Sequence, residues 1–194
     1  MDSPAARSVT RAKTMEVVPH GTDSYLFTAR LTDSAAGGNF EGDTATIHDF
    51  GLTGEVAGPD FTVIALDVQA YAHPYADCPF VIPTTRQLIG TPLMSGWRRA
   101  VLQQGAGTGG CTHVNTLLLG LGELATMIFF LKINVDVPYG PPSLADGRWT
   151  VGALEVSPQL AGICHGLREG GTALESAERR RDHPCPDNPT NPPE

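Results

Sequence analysis

The run Gly109 to Leu131, GGCTHVNTLLLGLGELATMIFFL, constrains the fold more than any other stretch of the chain. A flexible glycine pair leads through Cys111 and His113 into the longest apolar segment. There Leu117, Leu118, Leu119, Leu124, Met127, Ile128 and Leu131 recur at helical spacing. Thr112 or Asn115 can cap that helix, because either side chain can accept a bond from a free N–H of the first turn. Cys111 then stands at or just before a helix N-terminus, where the peptide dipoles favour thiolate over thiol. A thiolate beside an imidazole either binds a metal or attacks an electrophile.

The rest of the chain must bury that helix. With 194 residues, 41% of them hydrophobic, one core is expected, in a single domain over residues 15–174. Residues 1–14 read as a mobile arm and 175–194 as a disordered polar tail, since neither offers apolar surface to offset ordering. Between them the text alternates as strands do. A short MEVVP precedes YLFTARLTD, then Thr44 to Val56, then FTVIALDVQAY, which together predict an antiparallel meander. In the third of these His48, Phe50, Leu52 and Val56 share one face, so His48 points with the apolar residues and Asp49 points away. Thr84 to Gly90 and Met94 to Gln104 are predicted helices, and RWTVGALEV a weakly patterned strand. The fold class is α+β, a small antiparallel sheet packed on one face by helices.

Charge narrows the partners. A net charge of -8 excludes a non-specific nucleic-acid surface, and the basic cluster Arg179 to Arg181 falls in the tail. No apolar run is expected to be long enough to span a membrane, because Gly120, Gly122 and Glu123 interrupt the best one. The first residues, MDSPAARSVTRAKTM, lack the apolar segment of a secretory signal, so a cytoplasmic location with reduced thiols is expected. If the 117 to 131 helix leaves an apolar face open, a homodimer is expected.

Four cysteines are present, and Cys185 lies in the tail. The other three join three histidines in Gly/Pro-bounded loops, on the inward strand face or at a helix start: His48, Cys78, Cys111, His113, Cys164 and His165. Zinc and iron take such ligands, yet no CxxC pair or HExxH text is present to dictate a site. Cys78 and Cys111 can equally be small buried hydrophobes and His48 a satisfied core histidine. Nucleophilic catalysis by Cys111 needs His113 within hydrogen-bond reach. Acid/base chemistry by His113, oriented by Asp49 or Asp77, is a third reading. Arg98, after Trp97, can anchor an anionic group of a substrate or simply lie on a solvated helix face.

The succession IHDFGL, FTVIALDVQAYAHPYADCP, LIGTPLMSGWRRAV, GGCTHVNTLL and ICHGLREGG, over residues 44–171, resembles a bacterial domain family without an assigned function. Its hallmark is a Gly-Trp turn followed by a Gly-Cys-Thr-His helix start. The resemblance marks His48, Asp49, Cys78, Gly96, Trp97, Arg98, Cys111, His113, Cys164 and His165. The order of elements is also similar to the iron-sulfur scaffold proteins of the NifU and SufU type. There an Asp and three Cys at one end of a small sheet hold zinc or a nascent cluster. Asp49, Cys78 and Cys111 fall where such ligands would fall, while the first scaffold cysteine is replaced here by the Ile47-His48 region.

These readings converge on an enzyme acting on a small organic molecule with one zinc or iron, by lyase, isomerase, cyclase or hydrolase chemistry. Its metal ligands are drawn from Cys78, Cys111, His113, Asp49 and Cys164. His48, Asp49 or His113 moves the proton and Arg98 orients the substrate. A metal- or sulfur-carrying scaffold that hands its cargo to a protein partner is the alternative, and a metal-free acid/base catalyst a third.

Overall fold

A computed structural model describes residues 7–37 and 44–182. The chain divides into two compact units, Met1–Ala125 and Thr126–Glu194, where one domain over 15–174 is expected. The boundary falls inside the apolar run itself.

In the first unit four strands, β1 (Ser8–Pro19), β2 (Ser24–Ala36), β3 (Thr44–Ala57) and β4 (Thr62–Ala72), form an antiparallel meander in the order β1-β2-β3-β4. The α+β class with a small antiparallel sheet and helices is therefore the architecture of this protein. β2 alternates as a half-buried strand should: Tyr25, Phe27, Ala29, Leu31, Asp33 and Ala35 are all buried while their neighbours are more open. Phe50, Leu52 and Val56 of β3 and Val63, Leu66 and Val68 of β4 are buried as well.

β1 corrects the expectation of a mobile arm to residue 14. It pairs with β2 along its whole length, from Ser8↔Ala36 to Pro19↔Tyr25. As an edge strand it is exposed before the expected MEVVP segment, so its first half carries no apolar pattern. Its order comes from the backbone ladder, which composition does not reveal.

After β4 the chain enters a continuous 3₁₀ segment, Cys78–Leu88, with Pro83 inside it, in place of the short helix expected at Thr84 to Gly90. Helix α1 (Trp97–Gly105) starts three residues later than the periodicity suggests, because its N-cap, Gly96, sits at φ 79°, outside the helical region. Trp97 is buried and donates from Nε1 to the carbonyl of Leu118 at 2.7 Å, which ties α1 to helix α2 (Thr112–Gly120). Helix α2 packs on β2 and β3, with Val114, Leu117 and Leu118 buried.

A 3₁₀ turn at Leu121–Glu123, where Gly120 and Gly122 weaken the helix, joins α2 to α3 (Leu124–Asp136). Taken as one, Thr112–Asp136 spans 25 residues with a mean hydropathy of 1.8 over its best window, of which 44% is buried. It is thus long and apolar enough to cross a membrane, contrary to the sequence expectation, although a core helix of a soluble protein passes the same test.

The second unit carries the rest of α3 and helices α4 (Pro141–Ala145), α5 (Arg148–Val156) and α6 (Thr172–Asp182). RWTVGALEV is a helix, not a strand. Gly147 at φ 81° starts it, and Thr150, Gly152 and Ala153 form its buried face. Helix α6 occupies the first part of the expected tail; residues 183–194, Cys185 among them, lie outside the described residues. Its Ala177 is buried, and Arg179, Arg180 and Arg181 sit in its last turn, where cations complement the helix dipole.

Candidate functional site

The alternation of β2 places one charged residue on the inward face, Asp33, next to a register shift between Asp33 and Ser34. Its direct partner across the ladder is His48 on β3, so the two side chains rise from the same face. Asp33 pairs with His48 and Ser34 with Thr46, which leaves Ile47 as the extra residue of a bulge. Bulges re-aim side chains beside functional sites. From the helix layer the first turn of α2 contributes His113.

The three groups meet at one atom. His48 Nδ1 lies 3.0 Å and His113 Nε2 3.4 Å from the same Oδ2 of Asp33. The two imidazoles stack with centroids 3.7 Å apart, and Phe50 lies parallel to His113 at 5.9 Å. Arg11, on β1 and directly opposite Asp33 in the ladder, closes the outer side with a forked pair, Nε to Oδ1 at 2.7 Å and Nη2 to Oδ2 at 2.8 Å. The Asp33 side chain is 8% exposed and the two imidazoles 18% each, so the cluster is sheltered but reachable.

Its electrostatics follow from these contacts. The hydrogen bonds from Arg11 hold the Asp33 carboxyl below the ordinary aspartate range, against the opposing effect of burial, with help from the Arg11 charge, His48 and His113. Burial pushes the His113 imidazole down, with His48 and Arg11 adding to the effect and Asp33 opposing it. At neutral pH the cluster therefore presents a carboxylate and, at His113, an uncharged imidazole with a lone pair.

Asp33, His48 and His113 each offer a ligand atom within 4.8 Å of the other two, the one such group among the described residues. A divalent ion bonded at roughly 2.0–2.2 Å to nitrogen and oxygen brings neighbouring ligand atoms to about 3.0–3.5 Å from one another. The separations of 3.0 and 3.4 Å at Asp33 Oδ2 are of that size. Two imidazoles and one carboxylate suit zinc or non-haem iron, and three protein ligands leave coordination positions open for substrate or water.

Of the residues singled out in the sequence, the structure brings His48 and His113 together and leaves Asp49 on the other face of the sheet. There Arg30 grips the Asp49 carboxylate at 2.8 and 2.6 Å, Thr32 adds a bond at 3.4 Å, and Arg30 stacks on Tyr71 at 4.9 Å. Those bonds from Arg30 hold the Asp49 carboxyl below its ordinary range. Cys111 is the N-cap of α2 and its Sγ lies 3.7 Å from His113 Nδ1, the nitrogen turned away from Asp33. Cys78 opens the 3₁₀ segment outside the Asp/His/His group. Cys164 precedes a 3₁₀ turn of the second unit and is exposed. Arg98 lies on α1 beside an open pocket shared with Gly96, Arg99, Leu102 and Gln103.

Neither Thr112 nor Asn115 caps α2 as expected. Asn115 instead donates to the carbonyl of Gly105 at 2.7 Å and ties the end of α1 to α2. Gly110 allows the same approach, since a Cβ there would stand 2.6 Å from Cα of Gly105. The glycine before Cys111 is thus required by two backbones passing at close range, and their passage sets where His113 emerges.

Asp33 and Arg11 were not among the candidate residues. The signal for Asp33 was present: extending the YLFTARLTD alternation to its last residue puts a carboxylate on the apolar face, where an unpaired charge would be costly. Arg11 gives no such signal, because an arginine in an exposed polar strand is ordinary.

No curated protein matches the chain, and no solved structure matches it. A family of proteins of unknown function (DUF2889) matches residues 9–127, a span that contains Arg11, Asp33, His48, Cys111 and His113. The chain belongs to that family.

Proposed function

We propose that this protein is a metal-assisted enzyme acting on a small organic molecule, with one zinc or iron held by Asp33, His48 and His113. The observation that carries the reading is the convergence of two imidazole nitrogens on one carboxylate oxygen, at 3.0 and 3.4 Å. An ion there would polarise a substrate oxygen or lower the pKa of a bound water. Lyase, isomerase, cyclase and hydrolase chemistry all use such a centre. The protein's own part is to present an uncharged His113, to keep Asp33 ionised through Arg11, and to shelter the group under the start of α2.

The cluster contains no thiolate, which favours an enzyme over a carrier of sulfur or of a metal cargo. A second reading draws on the line Cys111 Sγ, His113, Asp33, with gaps of 3.7 and 3.4 Å. In that reading the thiol is a nucleophile, the imidazole its base and the carboxylate the orienting group, with no metal.

Metal analysis of the full chain after reconstitution with zinc and with ferrous iron, beside Asp33→Ala, His48→Ala and His113→Ala, separates the two. One equivalent in the parent and loss in each variant supports the metal centre. A parent that takes up no metal but is alkylated at Cys111 much faster than Cys164 supports the thiol catalyst and overturns the proposal.

A further inference from the structure

We propose, resting on the metal reading above, that Arg11 selects the substrate and that the substrate is a small organic carboxylate bridging the metal and the Arg11 guanidinium. Arg11 spends two of its five N–H donors on Asp33, one on each oxygen. The remaining three have no partner among the described residues, and the side chain is 49% exposed, so they are open to an external acceptor. A carboxylate oxygen has two lone pairs, so Oδ2 can keep the bond from Nη2 while it ligates a metal. The guanidinium therefore stays in place beside an occupied centre.

Charge then defines what must complete the site. A divalent cation, the Asp33 carboxylate, the Arg11 cation and two imidazoles, uncharged whenever they bind a metal, sum to two positive charges. Among the described residues, the other carboxylates near this end of the sheet are committed. Glu123 lies 3.7 Å from Lys13, and Asp49 is held by Arg30 on the opposite face. With no described carboxylate left free there, an anion from outside is the partner inferred. A carboxylate suits it because one oxygen can take an open metal position while the other accepts from the planar fork, an arrangement a neutral amide or alcohol cannot match.

The test loads the full chain with one equivalent of cobalt(II) and follows its visible absorption during titration with malonate, and separately with malonamide, the neutral isostere. Malonate is expected to shift the bands saturably and malonamide to leave them unchanged at equal concentration. Arg11→Gln should hold cobalt with unchanged stoichiometry and bind malonate about tenfold to a hundredfold more weakly, as expected for loss of hydrogen bonds to a charged group. Arg11→Lys, which keeps the charge without the fork, should fall between, and it carries the comparison if Arg11→Gln fails to fold. Equal malonate binding by the parent and Arg11→Lys or Arg11→Gln, or equal response to malonamide, overturns the inference and leaves the metal centre standing. A parent that retains no cobalt overturns both.

Discussion

Arg11 on the edge strand and Asp33 on its neighbour face each other in the ladder and join through two parallel hydrogen bonds of 2.7 and 2.8 Å. The pair has one buried partner and one half-exposed partner, so its worth lies between that of an exposed ion pair, about 0.2–1 kcal/mol, and that of a hydrogen bond to a charged group, about 1.5–3 kcal/mol. Arg11→Gln is expected to lower unfolding free energy by about 1 kcal/mol at neutral pH. Because the folded pKa of Asp33 is depressed, this stabilisation is complete above the ordinary value of 3.8 and is lost as pH falls below it through the folded value. Urea unfolding of parent and variant from pH 7 to pH 3 checks the sign. A difference that grows towards low pH would mean that Arg11 stabilises by something other than the Asp33 carboxylate.

His113 responds to both of its neighbours, and in opposite directions. Burial, His48 and Arg11 push its pKa below the ordinary 6.5, while Asp33 pulls it back. Asp33→Asn should therefore lower the His113 midpoint further, and His48→Gln should raise it towards the ordinary value. The depressed value also means that the unfolded chain binds a proton that His113 in the folded chain resists. His113 thus subtracts stability as pH falls from 6.5 through its folded value, and has no such effect above 6.5. Proton NMR of the imidazole Hε1 signals in metal-free protein, assigned by His113→Gln and His48→Gln, reads these shifts directly. A His113 midpoint above 6.5 would refute the geometry.

The parts of this protein that were legible in its letters are those where burial writes a period into the sequence. β2, β3 and β4 announce themselves by alternation, and α2 by its leucines, because each turns one face to the core. β1 does so only in its last residues, MEVVP, where Val17 is buried; its first half is exposed and held by backbone bonds that any sequence can make. RWTVGALEV misleads because its β-branched and aromatic residues suggest a strand, whereas the left-handed Gly147 and the bond that the Arg148 N–H donates to the Asp146 carboxylate at 3.0 Å start a helix. At the site, His48 and His113 were visible as polar residues in apolar surroundings. Their meeting was not, because it depends on the ladder register and the bulge at Ile47, which the pattern of one strand cannot supply.

Cysteine substitution separates the Asp/His/His centre from any thiolate site. Cys78→Ser and Cys111→Ser remove sulfurs that lie outside the three proposed ligands, so on the proposed metal reading both variants should keep one equivalent of metal. Cys111→Ser should still lower affinity somewhat, because Sγ lies 3.7 Å from the far nitrogen of His113 and helps to orient the ring. Loss of such an outer contact costs about tenfold to a hundredfold in affinity, against abolition for a direct ligand. Competition with a chromophoric chelator measures the difference. Complete loss of metal from Cys78→Ser or Cys111→Ser would restore sulfur to the ligand set.

Gly110 couples the packing of α1 on α2 to the position of His113. A Cβ there would stand 2.6 Å from Cα of Gly105, a backbone contact that no rotamer change relieves. Gly110→Ala must separate the end of α1 from the start of α2, stretching the 2.7 Å bond from Asn115 to the Gly105 carbonyl. Overpacking against backbone costs about 1–3 kcal/mol, and loss of stability in that range is expected in urea. The same displacement moves Cys111 and His113 together, so metal affinity should fall although no ligand has been altered. Gly107→Ala, in the same loop but with nothing within 4 Å of its added methyl, is the control. It should strain only its own φ of 60° and leave metal binding unchanged. If Gly110→Ala loses stability yet binds metal as the parent does, the start of α2 does not set the position of His113, and the helix is a lid over the cluster, not its frame.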